Sequence, residues 1–281
     1  MMRLGVHVSI SPTVDKAAEY GHVKGCDTIQ VFSRNPRGWR IKPLDLEDCE
    51  RLKARLKEYG ITPLVVHASY LPNMASPVKA MYERSVRTLA EEVARADTLG
   101  ADYFVTHVGH HKGTGVERGA KRVIQALNRI IAERSPKVMI LLENTANAGK
   151  SVGESVEQLR DLLEGVKHSE KMGICLDTCH AFAHGYDVAH AEGLNELLHR
   201  MDRLIGLDRL KVLHLNDSAY PFESHMDRHE HIGKGHIGEE GFRVILANKV
   251  IRKLPGILET PVDKPGDDVR NLAMVRKLAG K

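Results

Sequence analysis

Four cysteines in 281 residues, Cys26, Cys49, Cys175 and Cys179, are too few for a disulfide framework, and none is spaced Cys-x-x-Cys. Long apolar runs are also missing. No stretch approaches the roughly 20 residues that cross a membrane, and Met1-Met2-Arg3 leads directly into a β-rich run with nothing that fits a signal peptide. These absences predict a soluble, reduced, cytoplasmic protein with no membrane contact. Pro/Gly/Ser linkers, low-complexity tracts and heptad repeats are lacking too, so residues 1–281 read as one domain and a monomer. The net charge of +4 and pI near 8.8 suit a polyanionic partner without requiring one.

Eight β-branched or aliphatic runs are present, at about residues 3–8, 27–32, 63–67, 102–107, 138–143, 173–177, 210–215 and 256–259. Amphipathic stretches separate them. Ser11-Pro12, Ser76-Pro77 and Ser151 read as helix starts, and Gly25, Gly60 and Gly100 as helix stops. Eight strands alternating with eight helices predict an α/β fold, a single (β/α)8 TIM barrel whose active site lies at the C-terminal ends of the strands. A doubly wound open sheet would gather its ligands at one switch point, whereas here they spread over most strands.

Six of the eight runs end in a residue able to hold a metal ion: His67, His107, Glu143, Asp177, His214 and Glu259. Two further clusters, Asp177-Thr178-Cys179-His180 and Asp227-Arg228-His229, add His180, Asp227 and His229. Taken singly, each has an ordinary explanation as a hydrogen-bonded core residue, a helix cap or a partner for arginine. Their recurrence at strand ends argues for a shared site. Imidazole and carboxylate without obligatory thiolate suit Zn²⁺ or a similar ion at a catalytic centre that keeps room for water. Nine donors could hold three ions at about three each, with a carboxylate bridging two of them. Cys179 reads as a small buried neighbour, and His110, His111, His184, His225, His231 and His236 as supporting or solvated residues.

Longer motifs carry a resemblance. His67-Ala68-Ser69-Tyr70-Leu71-Pro72-Asn73, Gly173-Ile174-Cys175-Leu176-Asp177-Thr178-Cys179-His180 and Leu213-His214-Leu215-Asn216-Asp217-Ser218 followed by Asp227-Arg228-His229 resemble the motifs of the endonuclease IV family of apurinic/apyrimidinic endonucleases. Gly5-Val6-His7-Val8-Ser9 and Asn35-Pro36-Arg37-Gly38-Trp39-Arg40 extend the similarity over nearly the whole chain. The resemblance implies three zinc ions, with Mn²⁺ or another divalent ion as an alternative occupant of one site. His67, His107 and Glu143 would hold the first; Glu143, Asp177, His214 and Glu259 the second; His180, Asp227 and His229 the third. It further implies base-excision DNA repair: hydrolysis of the phosphodiester 5′ to an abasic site in double-stranded DNA, leaving a 3′-hydroxyl, with removal of 3′-blocking groups as an expected second activity. Val108, Pro72 and the Ala219-Tyr220 stretch with Glu223 depart from the family pattern, and none of them replaces an implied ligand.

In this reading Glu143, Glu259 and Asp177 are the catalytic residues, with Glu259 orienting the attacking water. Read alone, Arg37 is a solvated loop charge and Tyr70 a core aromatic with its hydroxyl at the surface. The resemblance instead makes Arg37, Tyr70 and Leu71 a wedge that enters the base stack, a known means of kinking DNA. Arg34, Arg40 and Lys112 are candidate phosphate contacts, and Asn144 and Asn216 either hold substrate or orient their neighbours. Two rivals remain at this stage: a sugar isomerase or epimerase of related barrel fold holding one or two ions, and a lesion-binding module that does not cleave.

Overall fold

Eight parallel strands close on themselves in the computed structural model, which describes residues 2–280. In chain order they begin with β1 (Leu4–His7), β2 (Thr28–Phe32), β3 (Leu64–His67), β4 (Tyr103–His107), β5 (Met139–Glu143), β6 (Met172–Asp177) and β7 (Leu210–His214). A two-stranded antiparallel hairpin of β8 (Asp217–Ser218) and β9 (His229–Glu230) follows, and β10 (Gly256–Leu258) completes the ring between β7 and β1. The expected closed barrel is therefore present, and its eight strands fall within a residue or two of the expected runs. The β8–β9 hairpin has no counterpart in the sequence reading, because two-residue strands leave no periodic signal.

Period-two alternation explains how the donors converge. Val65, Val105, Leu141, Cys175, Val212 and Ile257 form a separate, fully buried cluster inside the barrel. Each of them precedes a candidate ligand by two residues: His67, His107, Glu143, Asp177, His214 and Glu259. Residues i and i+2 of a strand share a face, so the six donors stand one layer above this apolar plug. Fully burying a side chain of the Val or Ile class stabilises by about 1.5–3 kcal/mol, so the floor of the site is also one of the barrel's anchors. Register completes the arrangement, pairing His107 with Glu143 across β4 and β5 and Asp177 with His214 across β6 and β7.

The outward-facing strand residues Leu64, Val66, Phe104, Ile140, Leu142, Ile174 and Leu213 pack into the larger core beneath the helices. These helices are α1 (Lys16–Val23), α2 (Leu46–Tyr59), α3 (Lys79–Leu99), α4 (Val116–Arg134), α5 (Val156–Gly165), α6 (Thr178–His184), α7 (Ala191–Leu204), α8 (Gly238–Ala247) and α9 (Asp267–Leu278). Among the described residues there are thus nine α-helices rather than eight, because the connection from β6 to β7 holds both α6 and α7.

Gly60 and Gly100 end α2 and α3 in the left-handed conformation, and Gly25 follows the cap of α1, as expected. The three expected helix starts are displaced. α1 begins at Lys16, several residues after Ser11-Pro12. α3 begins at Lys79, because Ser76 Oγ accepts from Val78 N and forms a turn instead of a cap. α5 is capped by Ser155, whose side chain accepts from Gln158 N, while Ser151 Oγ is engaged with His110 and Asn147. No helix among the described residues is long and apolar enough to cross a membrane.

Candidate metal centre

Two groups of donors meet at Glu143. Its Oε2 lies 3.2 Å from His67 Nε2 and 3.1 Å from His107 Nε2, while its Oε1 lies 2.9 Å from His214 Nδ1. The His214 Nδ1 is in turn 3.2 Å from Glu259 Oε2 and 3.9 Å from Asp177 Oδ2. One carboxylate therefore offers an oxygen to each group, His67–His107–Glu143 on one side and Glu143–Asp177–His214–Glu259 on the other. A third group stands beside them: His180 Nε2 is 2.9 Å from Asp227 Oδ1, and His229 Nε2 is 3.8 Å from the same oxygen. All nine residues expected from sequence are brought together.

The spacing suits a metal ion. Ligand atoms at about 2.0–2.1 Å from a tetrahedral Zn²⁺ stand about 3.3 Å from one another, close to the separations around Glu143. The outer hydrogen bonds also point the right way. His67, His180 and His229 each direct Nδ1 at a backbone oxygen, those of Ala68, Asn144 and Glu259, at 2.7, 2.9 and 3.1 Å. A donated Nδ1–H leaves the Nε2 lone pair free for a metal. The Nε2 of His229 is buried and has no hydrogen-bond partner among the described residues, lying 3.5 Å from Asp177 Oδ2. For His214 the roles reverse: its Nε2 donates to Gln30 Oε1 at 2.9 Å and its Nδ1 faces the carboxylates.

Asn144 and Asn216 orient ligands. Asn144 accepts from Asp177 N at 2.7 Å and donates to its carbonyl, whereas Asn216 donates to Asp177 Oδ2 at 2.6 Å and accepts from Glu259 N at 2.8 Å. Asp177 is also the cap of α6, accepting from His180 N at 2.8 Å, so one carboxylate fixes the helix that presents His180. Cys179 lies beside Asp177 and His229, but burial pushes its thiol up and its Sγ donates to Arg228 O, in keeping with a buried neighbour.

Imidazoles and carboxylates in this cluster favour each other's charged forms. Burial alone would raise the Glu143 carboxyl, yet the imidazoles of His107 and His214 hold it well below the usual range. Burial likewise opposes the charge on Asp227 and Glu259, but His180 and His214 respectively hold these carboxyls at about 2. Burial disfavours a charged His180, and the carboxylates of Asp177 and Asp227 outweigh it, raising that imidazole well above its ordinary value. Cations would take the place of the imidazole protons.

Residues 14–278 match the family model described as a xylose isomerase-like TIM barrel, a description broad enough to leave the chemistry open. Full-length relatives decide it. The probable endonuclease 4 of Methanoculleus marisnigri is 50% identical over 281 residues, covering 100% of both chains, and that of Halothermothrix orenii is 45% identical over 98% of this chain and 100% of its own. The crystal structure of endonuclease IV from Thermus thermophilus superimposes with a TM-score of 0.86 at 37% identity over 99% of both chains. The chain belongs to the endonuclease IV family.

For an endonuclease IV family member, the surface around the centre is informative. A cavity of about 380 Å³ opens over the donors, lined among others by His67, His107, His180, Asp227, His229 and Glu259. Tyr70 stands at its rim, 62% exposed, its ring 5.1 Å from that of Phe32; it is not a core aromatic. Arg37 is exposed and Leu71 half-buried on the neighbouring loops. Arg40 and Lys112 are exposed, but Arg34 is not: it is buried against Glu92, so its expected phosphate contact is corrected.

Two residues of the site were not singled out from the sequence, although His7 stood within a quoted motif. His7 ends β1 and lines the same cavity, and Gln30, fully buried in β2, donates to Glu259 Oε1 at 2.6 Å. The signal for His7 was the one that found the others, a strand-terminal donor two residues beyond an inward position, here Gly5. Gln30 left only a polar residue in mid-strand. Burial holds His7 down at about 4, and its Nδ1 accepts from Gln30 Nε2 at 3.1 Å, so it serves as a neutral acceptor.

Proposed function

We propose that this protein is a DNA-repair phosphodiesterase that holds three zinc ions and cuts double-stranded DNA on the 5′ side of an abasic site, leaving a 3′-hydroxyl. The whole chain, 1–281, acts as one domain, a monomer working in the cytoplasm. His67, His107 and Glu143 hold the first ion, Glu143, Asp177, His214 and Glu259 the second, and His180, Asp227 and His229 the third. Such ions lower the pKa of bound water from 15.7 to about 7, polarise a phosphoryl oxygen and stabilise the leaving alkoxide.

The protein's own groups supply position. Glu143 keeps two of the donor groups in register, Glu259 orients the attacking water under the control of Gln30 and Asn216, and Asp177 fixes the presentation of His180. No side-chain nucleophile is used. Arg37, Tyr70 and Leu71 enter the base stack at the lesion, where a missing base lowers the few kcal/mol that unstacking costs at an intact nucleotide.

The observation that carries the reading is the buried Glu143 carboxylate, shared between two donor groups whose members His67, His107 and Glu259 line an open cavity in a chain of this family. A duplex with one abasic analogue, incubated with and without a chelator, tests it. Nicking 5′ to the lesion that vanishes on chelation and returns with zinc supports the reading. Lesion binding without a nick would leave a non-catalytic module, and turnover of a ketose or aldose in place of DNA would leave an isomerase.

A further inference from the structure

The arginine that sequence reading placed on DNA phosphate turns inward. Arg34 opens the loop between β2 and α2, its side chain only 3% exposed, and its guanidinium makes three contacts at once. Nε donates to Glu92 Oε1 at 2.5 Å, Nη1 to Gly38 O at 2.6 Å and Nη2 to Ser69 Oγ at 2.9 Å. Glu92, on α3, is equally buried and accepts from Ser69 as well, from its N at 3.0 Å and its Oγ at 2.5 Å.

The ends of this network fall beside the wedge. Gly38 follows Arg37, and Ser69 precedes Tyr70 and Leu71. Tyr70 N also donates to Pro36 O at 3.2 Å, so the two loops touch directly. α3 brackets the first loop further: Arg95 Nε donates to Ser33 O at 3.1 Å and its Nη1 to Lys42 O at 2.8 Å. Trp39, the one tryptophan of the chain, lies in the same loop under the Arg84 guanidinium of α3, 4.1 Å from its ring centroid.

We propose that Arg34 and Glu92, bridged through Ser69, are positioning residues for lesion engagement: a buried clamp that fixes the Arg37 loop and the Tyr70–Leu71 loop relative to each other. The inference rests on the DNA-repair reading above. A buried ion pair adds little net stability compared with apolar residues of similar volume, so stability alone gives no reason for this one. A planar guanidinium that ties three partners does fix geometry, and Lys cannot reproduce its fork. Neither Arg34 nor Glu92 belongs to the nine metal-site donors, and their contacts end one residue from Arg37 and one residue from Tyr70. Prying a duplex apart requires side chains held rigidly before contact, since otherwise binding must also order two loops.

Two variants separate positioning from mere folding. Arg34→Lys keeps the charge beside Glu92 but loses the three-way span, and the double variant Arg34→Met/Glu92→Leu removes both charges so that neither is buried alone. Three readouts are compared with the wild type: kcat and KM on the abasic duplex, hydrolysis of bis(p-nitrophenyl) phosphate, and acrylamide quenching of Trp39. Because misplacing a binding group by an ångström costs up to about a hundredfold, duplex kcat/KM is expected to fall roughly tenfold or more, chiefly through KM, with the small diester within about twofold. Trp39 should quench more readily in both variants. Duplex and small-diester rates falling in parallel, or an unchanged duplex KM with unchanged quenching, would overturn the clamp. A wild-type protein that hydrolyses the small diester yet leaves the abasic duplex intact would instead overturn the functional reading itself, a separable outcome.

Discussion

The Oε1 of Gln30 accepts a hydrogen bond from His214 Nε2 at 2.9 Å, inside the barrel and out of reach of solvent. An amide oxygen can only accept, so this contact fixes the tautomer of His214 and turns its Nδ1 lone pair toward Glu143, Glu259 and Asp177. Replacing Gln30 by Met, of similar length, removes that control and the bond to Glu259. Loss of an outer-shell partner of this kind typically costs about 10- to 100-fold in metal affinity or activity, and the same loss is expected here. Zinc titration against a competing chelator reads it directly; unaltered affinity would remove Gln30 from the site.

Glu143→Gln and Asp177→Asn should abolish cleavage while leaving the barrel folded. Glu143 loses the charge that two donor groups share, and Asp177 one that reaches His214 and His229. Circular dichroism checks the fold and elemental analysis the metal content. Near-native turnover with full metal content in either variant would refute the roles given to these residues.

Without metal, stability should decline as pH rises above neutral. His180 and His107 have raised pKa values, in each case because burial is outweighed by carboxylates, those of Asp177 and Asp227 for His180 and that of Glu143 for His107. A raised imidazole contributes stability that is fully present below its unfolded value of about 6.5 and is lost as pH climbs through the folded value. The chelated protein should therefore melt at progressively lower temperature above neutral pH, and the zinc-loaded protein should resist this loss. Parallel melting curves for the two forms would count against the cluster as a cation site.

Gly5→Ala tests the barrel itself. A Cβ at Gly5 would stand 1.7 Å from the carbonyl oxygen of Thr28, backbone of the adjoining strand, so β1 and β2 must separate. Overpacking costs typically about 1–3 kcal/mol and more where backbone must move, so a lowered midpoint in chemical denaturation is expected. An unchanged midpoint would show that the two strands can part at little cost.

If the loops grip DNA backbone, log affinity for an abasic duplex should fall with log salt by about 0.9 for each phosphate neutralised. Removing Lys112 or Arg40 should lower the slope by about 1 and leave the small diester untouched. Removing Arg34 should not change the slope, because its guanidinium already faces Glu92. A flat dependence in the wild type would exclude phosphate contact.

Legibility in the sequence followed the strength of the periodic signal. The strands and their terminal donors were readable because alternation within each strand and recurrence along the chain report the same geometry. The start of α1 was not readable, since Ser11-Pro12 carries a cap signature that the chain places in irregular backbone several residues ahead of the helix. The β8–β9 hairpin escaped as well, although it holds His229 in place, because pairing of two residues depends on a distant loop. Arg34 shows the limit most clearly. Its neighbours in sequence are loop residues of a basic character, and only the fold brings Glu92, 58 positions away, beneath it.

The most direct test is to count metal in active protein. Elemental analysis of the purified enzyme, alongside abasic-site incision as zinc is withdrawn and restored, should give three ions per chain, with cleavage lost as they leave and recovered as they return. Full incision by protein that carries no transition metal would contradict the account at its centre.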